Sequence, residues 1–441
     1  MMASDSSKEA LAYAAHAVRL AGTLPDIGEK VAPRPILKVG IAGGGTMGSG
    51  IALACLAAGL PVVLAEWDGE AARRARARIL GDIDARLDKG RIEAMEADRR
   101  RALLAIETDL AALGTANLVI EAVFEDMETK CALFRALDRI AKAGALLATN
   151  TSYLDIDRIA AVTARPEDVL GLHFFSPAHV MRLLEIIRAR RTAPYALASA
   201  LAFAQRIEKQ PVIARVCHGF IGNRMLEGYV REAGLLLLEG ASIEAVDAAI
   251  RAFGYRMGPF EMGDLAGLDI GHMLRAQFPA GRFDPNAYRV ADRLVAMGRK
   301  GQKTGAGYYR YEPGSRRPIP DPAVEAIARE ERALAGMTAR EIGAQEIVER
   351  CLLPLVNEGA RILEEGIAVR GSDIDVVYLE GYGFPRERGG PMYWADSLGL
   401  PHVLARIEAW RAQQGARWWT PAPLLARLAQ EGGRLSEYCG F

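Results

Sequence analysis

The chain has 441 residues, half of them hydrophobic, with 55 basic and 55 acidic side chains. That length supports about two or three domains with real cores, and the even balance excludes a bulk electrostatic attraction to nucleic acid or to a membrane surface. Five scattered cysteines (Cys55, Cys131, Cys217, Cys351, Cys439) lack metal-ligand spacing, so they read as buried thiols in a reducing compartment, and no metal site is expected.

The opening stretch MMASDSSKEALAYAAHAVRL has no apolar centre of the signal-peptide kind and no arginine bias of the transit-peptide kind. Helical periodicity runs over residues 6–21, and PDIGEKVAPRP then reads as a linker, so residues 1–37 form an N-terminal helix and linker. The C-terminal EYCGF is not an SKL-type address. With heavy use of Ala and Arg and sparing use of Lys, these features lead to the expectation of a cytoplasmic, bacterial protein.

Residues 38–52, KVGIAGGGTMGSGIA, join an apolar strand to a small-residue helix through three spaced glycines, and PVVLAEWD then supplies a second strand. Gly43 permits the tight turn, Gly45 lets a pyrophosphate approach the backbone, and Gly48 lets the helix lie close on the sheet. Thr46 and Met47 open the helix, whose free N–H groups receive the diphosphate. Glu66, eighteen residues past Gly48, stands where a carboxylate takes the ribose hydroxyls of NAD and opposes the extra phosphate of NADP. The uncharged run over residues 39–65 is long enough for a membrane span, but its glycines and Pro61 argue against one.

Further apolar runs (NLVIEA, ALLATN, VLGLHFF, RLLEII, PVIAR) alternate with helical segments, which predicts a Rossmann-like, doubly wound, mainly parallel sheet over residues 38–215. Residues 71–112 between the second and third runs read as an inserted arm, a charged helical pair turning near Lys89-Gly90.

Beyond residue 215 the pattern is helical, and residues 223–267 and 349–399 resemble two copies of one unit. Glu232 matches Glu358, Glu239-Gly240 matches Glu365-Gly366, Asp247 matches Asp375, Gly258-Pro259 matches Gly390-Pro391, and Asp264 matches Asp396. The fold class is therefore α/β, the sheet being followed by two duplicated all-α domains over residues 216–312 and 341–441, with a stiff Pro-rich linker over 313–340.

Reactive groups come from ATNTSYL, GLHFFSP, RLLEII and GFIGNR. The first two end predicted strands and offer Ser152 and His173, while Glu185 sits among apolar residues where a charge is costly unless partnered. A His173–Glu185 pair suits proton transfer, the carboxylate holding one ring nitrogen protonated and leaving the other to accept a proton. Taken singly, each has a plainer reading: His173 as a core residue, Glu185 as a strand-end carboxylate facing water, Ser152 and Asn223 as helix caps or turn residues.

Together, GGGTMG, FEDMETK, ATNTSYLDI, GLHFFSPAHVMRLLEII, GFIGNRML, GPFEMGDLAGLD and GRKGQKTGAGYYRY resemble the 3-hydroxyacyl-CoA dehydrogenase family from Lys38 to the end. The duplicated helical domain and WWTPAPLLARLA are similar to the dehydrogenase half of multifunctional β-oxidation proteins, without a hydratase half. The resemblance implies NAD-dependent oxidation of L-3-hydroxyacyl-CoA, with His173 as base, Glu185 as its orienting carboxylate, Ser152 near the substrate oxygen and nicotinamide, and Asn223 holding substrate. It places Glu125, Lys130, Asn150 and Lys303 near the cofactor, although Glu125 and Lys130 by themselves read as a solvated pair at a helix start. Ser176 stands where many short-chain members have Asn, which bears on acyl selectivity. Arg86, Lys89 and Arg91 are CoA candidates by location, with solvated surface charge as the alternative.

Two rival readings are a dehydrogenase of a free hydroxy acid and a non-catalytic NAD-binding scaffold; the second helical copy argues against the first and the intact reactive set against the second. Because the second copy has Glu349-Arg350 where the first has Asn223-Arg224, it is expected to support the site without supplying its own Asn. By analogy with single-unit relatives, it would stand in for a partner subunit in a monomer, with a separate enoyl-CoA hydratase or thiolase as the expected partner.

Overall fold

The computed structural model describes residues 5–23, 31–279 and 281–440, so part of the expected linker, residues 25–30, lies outside the described residues. The chain divides into two compact units: one holds the residues up to Asn223, the return segment Ile362–Tyr382 and the residues from Ser436 onward; the other holds Arg224–Arg361 and Gly383–Leu435.

The first unit is built on eight strands: β1 (Val39–Ala42), β2 (Val62–Ala65), β3 (Leu104–Glu107), β4 (Leu118–Glu121), β5 (Leu146–Thr149), β6 (Val169–Phe174), β7 (Leu183–Arg188) and β8 (Gln210–Arg215). They lie in the order β3-β2-β1-β4-β5-β6-β7-β8, every neighbouring pair parallel except β6 with β7. All four residues are buried in each of β1, β2, β4 and β5, as in parallel strands covered on both faces, which is why they read as unbroken apolar runs. Strand order reverses between β2 and β4, on either side of β1, and that switch point opens a crevice at the carboxyl ends of the strands. The segment 39–65 once open to a membrane reading is strand, helix and strand, and among the described residues no helix is long and apolar enough to cross a membrane.

The supposed arm over residues 71–112 is a crossover, not a plain helical pair. Helices Gly69–Asp88 and Ala94–Ala102 are there, with the turn at Lys89-Gly90, but LAIE then forms the edge strand β3 beside β2. Only Leu104 of that strand is buried, so it carried no apolar run to betray it. The longer helix is set by its ends and one stripe: Asp68 caps it by accepting the Ala71 N–H at 2.7 Å, and Ala71, Ala75, Ile79 and Ile83 recur at four-residue spacing on its buried face. The cysteines also depart from expectation: Cys55, Cys131 and Cys351 are buried, but Cys217 is half-buried and Cys439 is exposed.

The duplicated positions do matching work. Gly258-Pro259 and Gly390-Pro391 each start a short helix, Pro259–Ala266 and Pro391–Leu398. Asp264 accepts the Tyr308 and Tyr309 N–H groups and the Tyr311 hydroxyl, and Asp396 accepts the Leu435 N–H, so each ties down a segment that follows its own copy. Asp247 takes the Tyr309 hydroxyl at 2.8 Å; in the first unit Asp375 takes that of Tyr13, from helix Asp5–Ala21, at 2.7 Å.

Within the second unit the long helices of the two copies exchange partners reciprocally. Arg224 of the first bonds Glu358 of the second at 2.7 Å, and Arg350 of the second bonds Glu232 of the first at 2.8 Å and Glu239 at 2.7 Å. Gly228 faces Pro354, whose Cβ would be 2.8 Å from a Cβ at 228. These are matching positions of the two copies, so the contact has the self-complementary form of a two-fold interface. Arg350 is fully buried with both acids, and removing it takes away their shared buried partner, leaving Glu232 with only Arg231 and Glu239 with only Arg340 among the described residues. Arg350→Ala is expected to cost about 3–5 kcal/mol of unfolding free energy, read from the denaturant midpoint; a loss under about 1 kcal/mol would show that the cluster is dispensable.

Candidate active site

The crevice is shaped by what the glycines exclude. Gly43 turns the chain at φ +96°, and a Cβ there would stand 2.9 Å from the Ala122 carbonyl oxygen at the end of β4. A Cβ on Gly48 would fall 1.9 Å from the Gly43 carbonyl oxygen, whereas Gly45 has nothing within 4 Å. The loop is therefore tight on the protein side and open on the other. Helix Thr46–Ala57 begins there, with Thr46 and Met47 in its first turn and no side chain capping it from Gly45, leaving a cradle of N–H groups suited to a diphosphate. Gly44 has a part the motif does not announce, since a Cβ there would lie 2.5 Å from that of Ala75. Glu66, at the end of β2, accepts the Gly44 N–H on Oε1 at 2.6 Å and so sits against the loop.

The His173–Glu185 pair is made by strand register. His173 of β6 and Glu185 of β7 are direct antiparallel partners, and His173 Nδ1 lies 2.7 Å from Glu185 Oε2. Glu185 is fully buried and His173 nearly so, which sets aside both the water-facing reading of the carboxylate and the lone core histidine. The other carboxylate oxygen, Oε1, accepts the N–H groups of Ile221 and Gly222 at 3.1 Å each, at the start of helix Gly222–Glu239. Those donors are aimed by a turn in which Gly219 and Phe220 both have positive φ, +70° and +51°; for Phe220 this is a strained backbone held by its surroundings. A carboxylate at Nδ1 requires the proton on that nitrogen, so the Nε2 lone pair faces outward, 3.3 Å from Ser152 Oγ.

Ser152 is not a helix cap; Asp155 caps helix Ile156–Ala160 instead. Its loop is held by Glu125, whose Oε1 accepts the Thr151 hydroxyl at 2.5 Å and the N–H groups of Ser152 and Tyr153 at 2.8 and 3.1 Å. Lys130 is fully buried rather than a solvated partner, bonded to Glu121 at 2.6 Å and within 3.5 Å of Glu125. Asn150 spends its side-chain oxygen on the Phe174 N–H at 2.9 Å, joining the ends of β5 and β6. Asn223 accepts the Tyr382 hydroxyl at 2.8 Å. Lys303 pairs with Asp269 at 2.6 Å in the second unit. Of the residues considered for CoA, Arg86 is paired with Asp82 at 2.6 Å, whereas Lys89 and Arg91 are exposed.

Sequence reading missed Glu121, Thr151 and Tyr382. Glu121 carried a signal related to that of Glu185, a carboxylate within an apolar run, here at the end of β4, and accepts the Thr149 hydroxyl at 2.6 Å as well as Lys130. Tyr382 carried none, because nothing in the sequence ties it to residue 223.

Comparison with known proteins decides the family. The NAD binding domain model of 3-hydroxyacyl-CoA dehydrogenase matches residues 38–217, and the C-terminal domain model of the same family matches 219–311 and again 347–437. The chain belongs to the 3-hydroxyacyl-CoA dehydrogenase family. The peroxisomal bifunctional enzyme of Cavia porcellus is 41% identical over 91% of this chain and 57% of its own length, so the chain spans under two thirds of that relative. Among solved structures, 3-hydroxybutyryl-CoA dehydrogenase from Escherichia coli K12 matches with a TM-score of 0.77 at 27% identity, over 90% of this chain and 99% of its own. The dehydrogenase part of multifunctional enzyme 1 from C. elegans matches with a TM-score of 0.70 at 30% identity, over 96% and 97%.

One expectation is overturned. Relatives from Cavia porcellus, Danio rerio and Oryza sativa are peroxisomal enzymes, which contradicts a cytoplasmic, bacterial assignment. Compartments are read by receptors from short address signals, and residue usage carries no such information.

The placement of Glu66 generates a test of cofactor choice. A carboxylate against the glycine loop sets like charge against a 2′-phosphate, so wild type should favour NAD over NADP in kcat/KM by at least about tenfold, and Glu66→Ala should narrow that ratio by about the same factor. Equal use of both cofactors by wild type would contradict the placement.

Proposed function

We propose that the chain catalyses the reversible oxidation of L-3-hydroxyacyl-CoA to 3-ketoacyl-CoA with NAD. The observation that carries this reading is the His173–Glu185 pair, whose free ring nitrogen meets Ser152 at the carboxyl edge of the same sheet that presents the glycine loop. Gly43, Gly45, Thr46, Met47, Gly48 and Glu66 would hold the dinucleotide, an assignment that rests on the open side of Gly45 and the uncapped helix start. NAD supplies the two-electron oxidant when bound.

His173 Nε2 takes the hydroxyl proton of the substrate as its carbon is oxidised, and returns it in the reverse direction. Glu185 keeps the ring in the tautomer that can accept and then stabilises the imidazolium, its own charge held by the two backbone N–H groups at the helix start. The Ser152 hydroxyl orients the substrate oxygen toward Nε2, and the Asn223 amide holds the substrate beside it. Glu125 acts on the reaction by fixing the Ser152 loop, with Lys130 and Glu121 beneath it. Asn150 fixes the end of β6 beside His173. For Lys303 the pairing with Asp269 gives no support to a cofactor role.

A 3-hydroxyacyl thioester arises by hydration of an enoyl thioester, so a hydratase, on a longer form of this polypeptide or on a separate one, supplies the substrate. The reciprocal Arg224–Glu358 and Arg350–Glu232 contacts support the reading that the second helical copy takes the place of a partner subunit.

His173→Ala should retain NAD binding and lose turnover of acetoacetyl-CoA with NADH by at least about 100-fold, the contribution of a positioned general base. Near-normal turnover would remove His173 from the chemistry. Glu185→Gln keeps the shape but not the charge, and should lower kcat by about 10-fold or more, with a changed pH profile; an unaltered rate and profile would sink its assigned role. Size-exclusion chromatography should find the active chain monomeric, and activity confined to a dimer would refute the substitution of one copy for a subunit.

A further inference from the structure

We infer that Tyr382 is a positioning residue for the reaction, its phenol fixing the Asn223 amide so that the amide N–H groups face the substrate oxygen. This rests on the dehydrogenase reading above and adds to it a residue from the second helical copy. Tyr382 ends helix Gly371–Gly381, in the segment that returns to the first unit. Its hydroxyl donates to Asn223 Oδ1 at 2.8 Å, so the amide nitrogen is turned away from the phenol. A substrate carbonyl or alkoxide oxygen accepts hydrogen bonds and does not donate them, and the amide nitrogen is the end of the side chain that can serve it.

The ring is held on several sides. It stacks on Tyr378 with centroids 4.9 Å apart and meets Phe175 edge-on at 5.6 Å, and Phe175 in turn lies 4.6 Å from the His173 ring. It also lies across Gly222, where a Cβ would come within 2.4 Å of the ring, so the glycine before Asn223 makes room for this tyrosine. Burial first, and then the charge of Glu185, hold the phenol well above its ordinary range, keeping it a donor at working pH.

Duplication makes the pairing informative. Counting from the matched Asp247 and Asp375, the position of Tyr382 in the second copy is that of Gly254 in the first, and each residue directly follows its helix. Asn223 of the first copy is Glu349 in the second by the same kind of count. Each copy therefore carries one half of the Asn–Tyr pair and not the other.

The test is a double-mutant cycle on the full chain, with acetoacetyl-CoA and NADH. Tyr382→Phe keeps the ring and removes only the hydroxyl, and should lower kcat/KM for acetoacetyl-CoA about threefold to tenfold, the weight of one neutral hydrogen bond, with KM for NADH unchanged. In an Asn223→Ala background the same substitution should change kcat/KM by less than about twofold, because the group through which it acts is gone. A wild-type-like Tyr382→Phe, or an equal loss in both backgrounds, would overturn the inference while leaving an active wild-type dehydrogenase intact. A wild type with no acyl-CoA turnover would overturn the dehydrogenase reading and this inference with it.

Discussion

A carboxylate without water is the constraint on which the site depends. Glu185 is fully buried within strand β7, and an unpartnered charge there would cost more than most single interactions can offset. The chain meets the requirement from two directions, with the His173 ring across the strand register and two backbone N–H groups from a helix start. Each partner is thereby fixed: the ring in one tautomer, and the helix with its first turn placed beside the ring. The strained φ of Phe220 belongs to the same account, since the turn through Gly219 and Phe220 is what aims those N–H groups. Asn223 is the next residue after donors already committed to Glu185.

A second buried carboxylate repeats the logic next door. Glu121 ends β4 with Lys130 and Thr149 as partners, and Glu125 on the following loop carries the segment with Ser152. Residues that resemblance places near the cofactor are thus engaged in holding the loop that bears the Ser152 hydroxyl. Buried networks of this kind rigidify what they touch when every member is satisfied.

Much of this was legible in the sequence because local physics leaves local marks. Spaced glycines, buried strands written as apolar runs, and a carboxylate embedded in LLEII each state a requirement within a few residues. The duplicated Gly-Pro and Asp positions were legible too: each Gly-Pro pair starts a helix, and Asp264 and Asp396 each tie down chain that follows. What escaped had no local mark. β3 is a half-exposed edge strand among charges, Lys130 is buried although its neighbours are polar, and the Asn223–Tyr382 contact joins residues 159 apart. The compartment escaped for a different reason, since it is a matter of recognition by other proteins and not of folding.

The return segment Ile362–Tyr382 also dictates an order of events during synthesis. The sheet, the glycine loop and the His173–Glu185 pair are encoded before residue 224, but Tyr382 and the helix that covers the N-terminal helix Asp5–Ala21 emerge more than a hundred residues later. Tyr13 and Asp375, which bond each other, are 362 residues apart. Loop closure over such a span is slow and has to precede the contacts that reward it. During synthesis, then, helix Asp5–Ala21 can rest on β8 but waits for Gly371–Gly381 to complete its cover, and that interval is when a chaperone has something to hold.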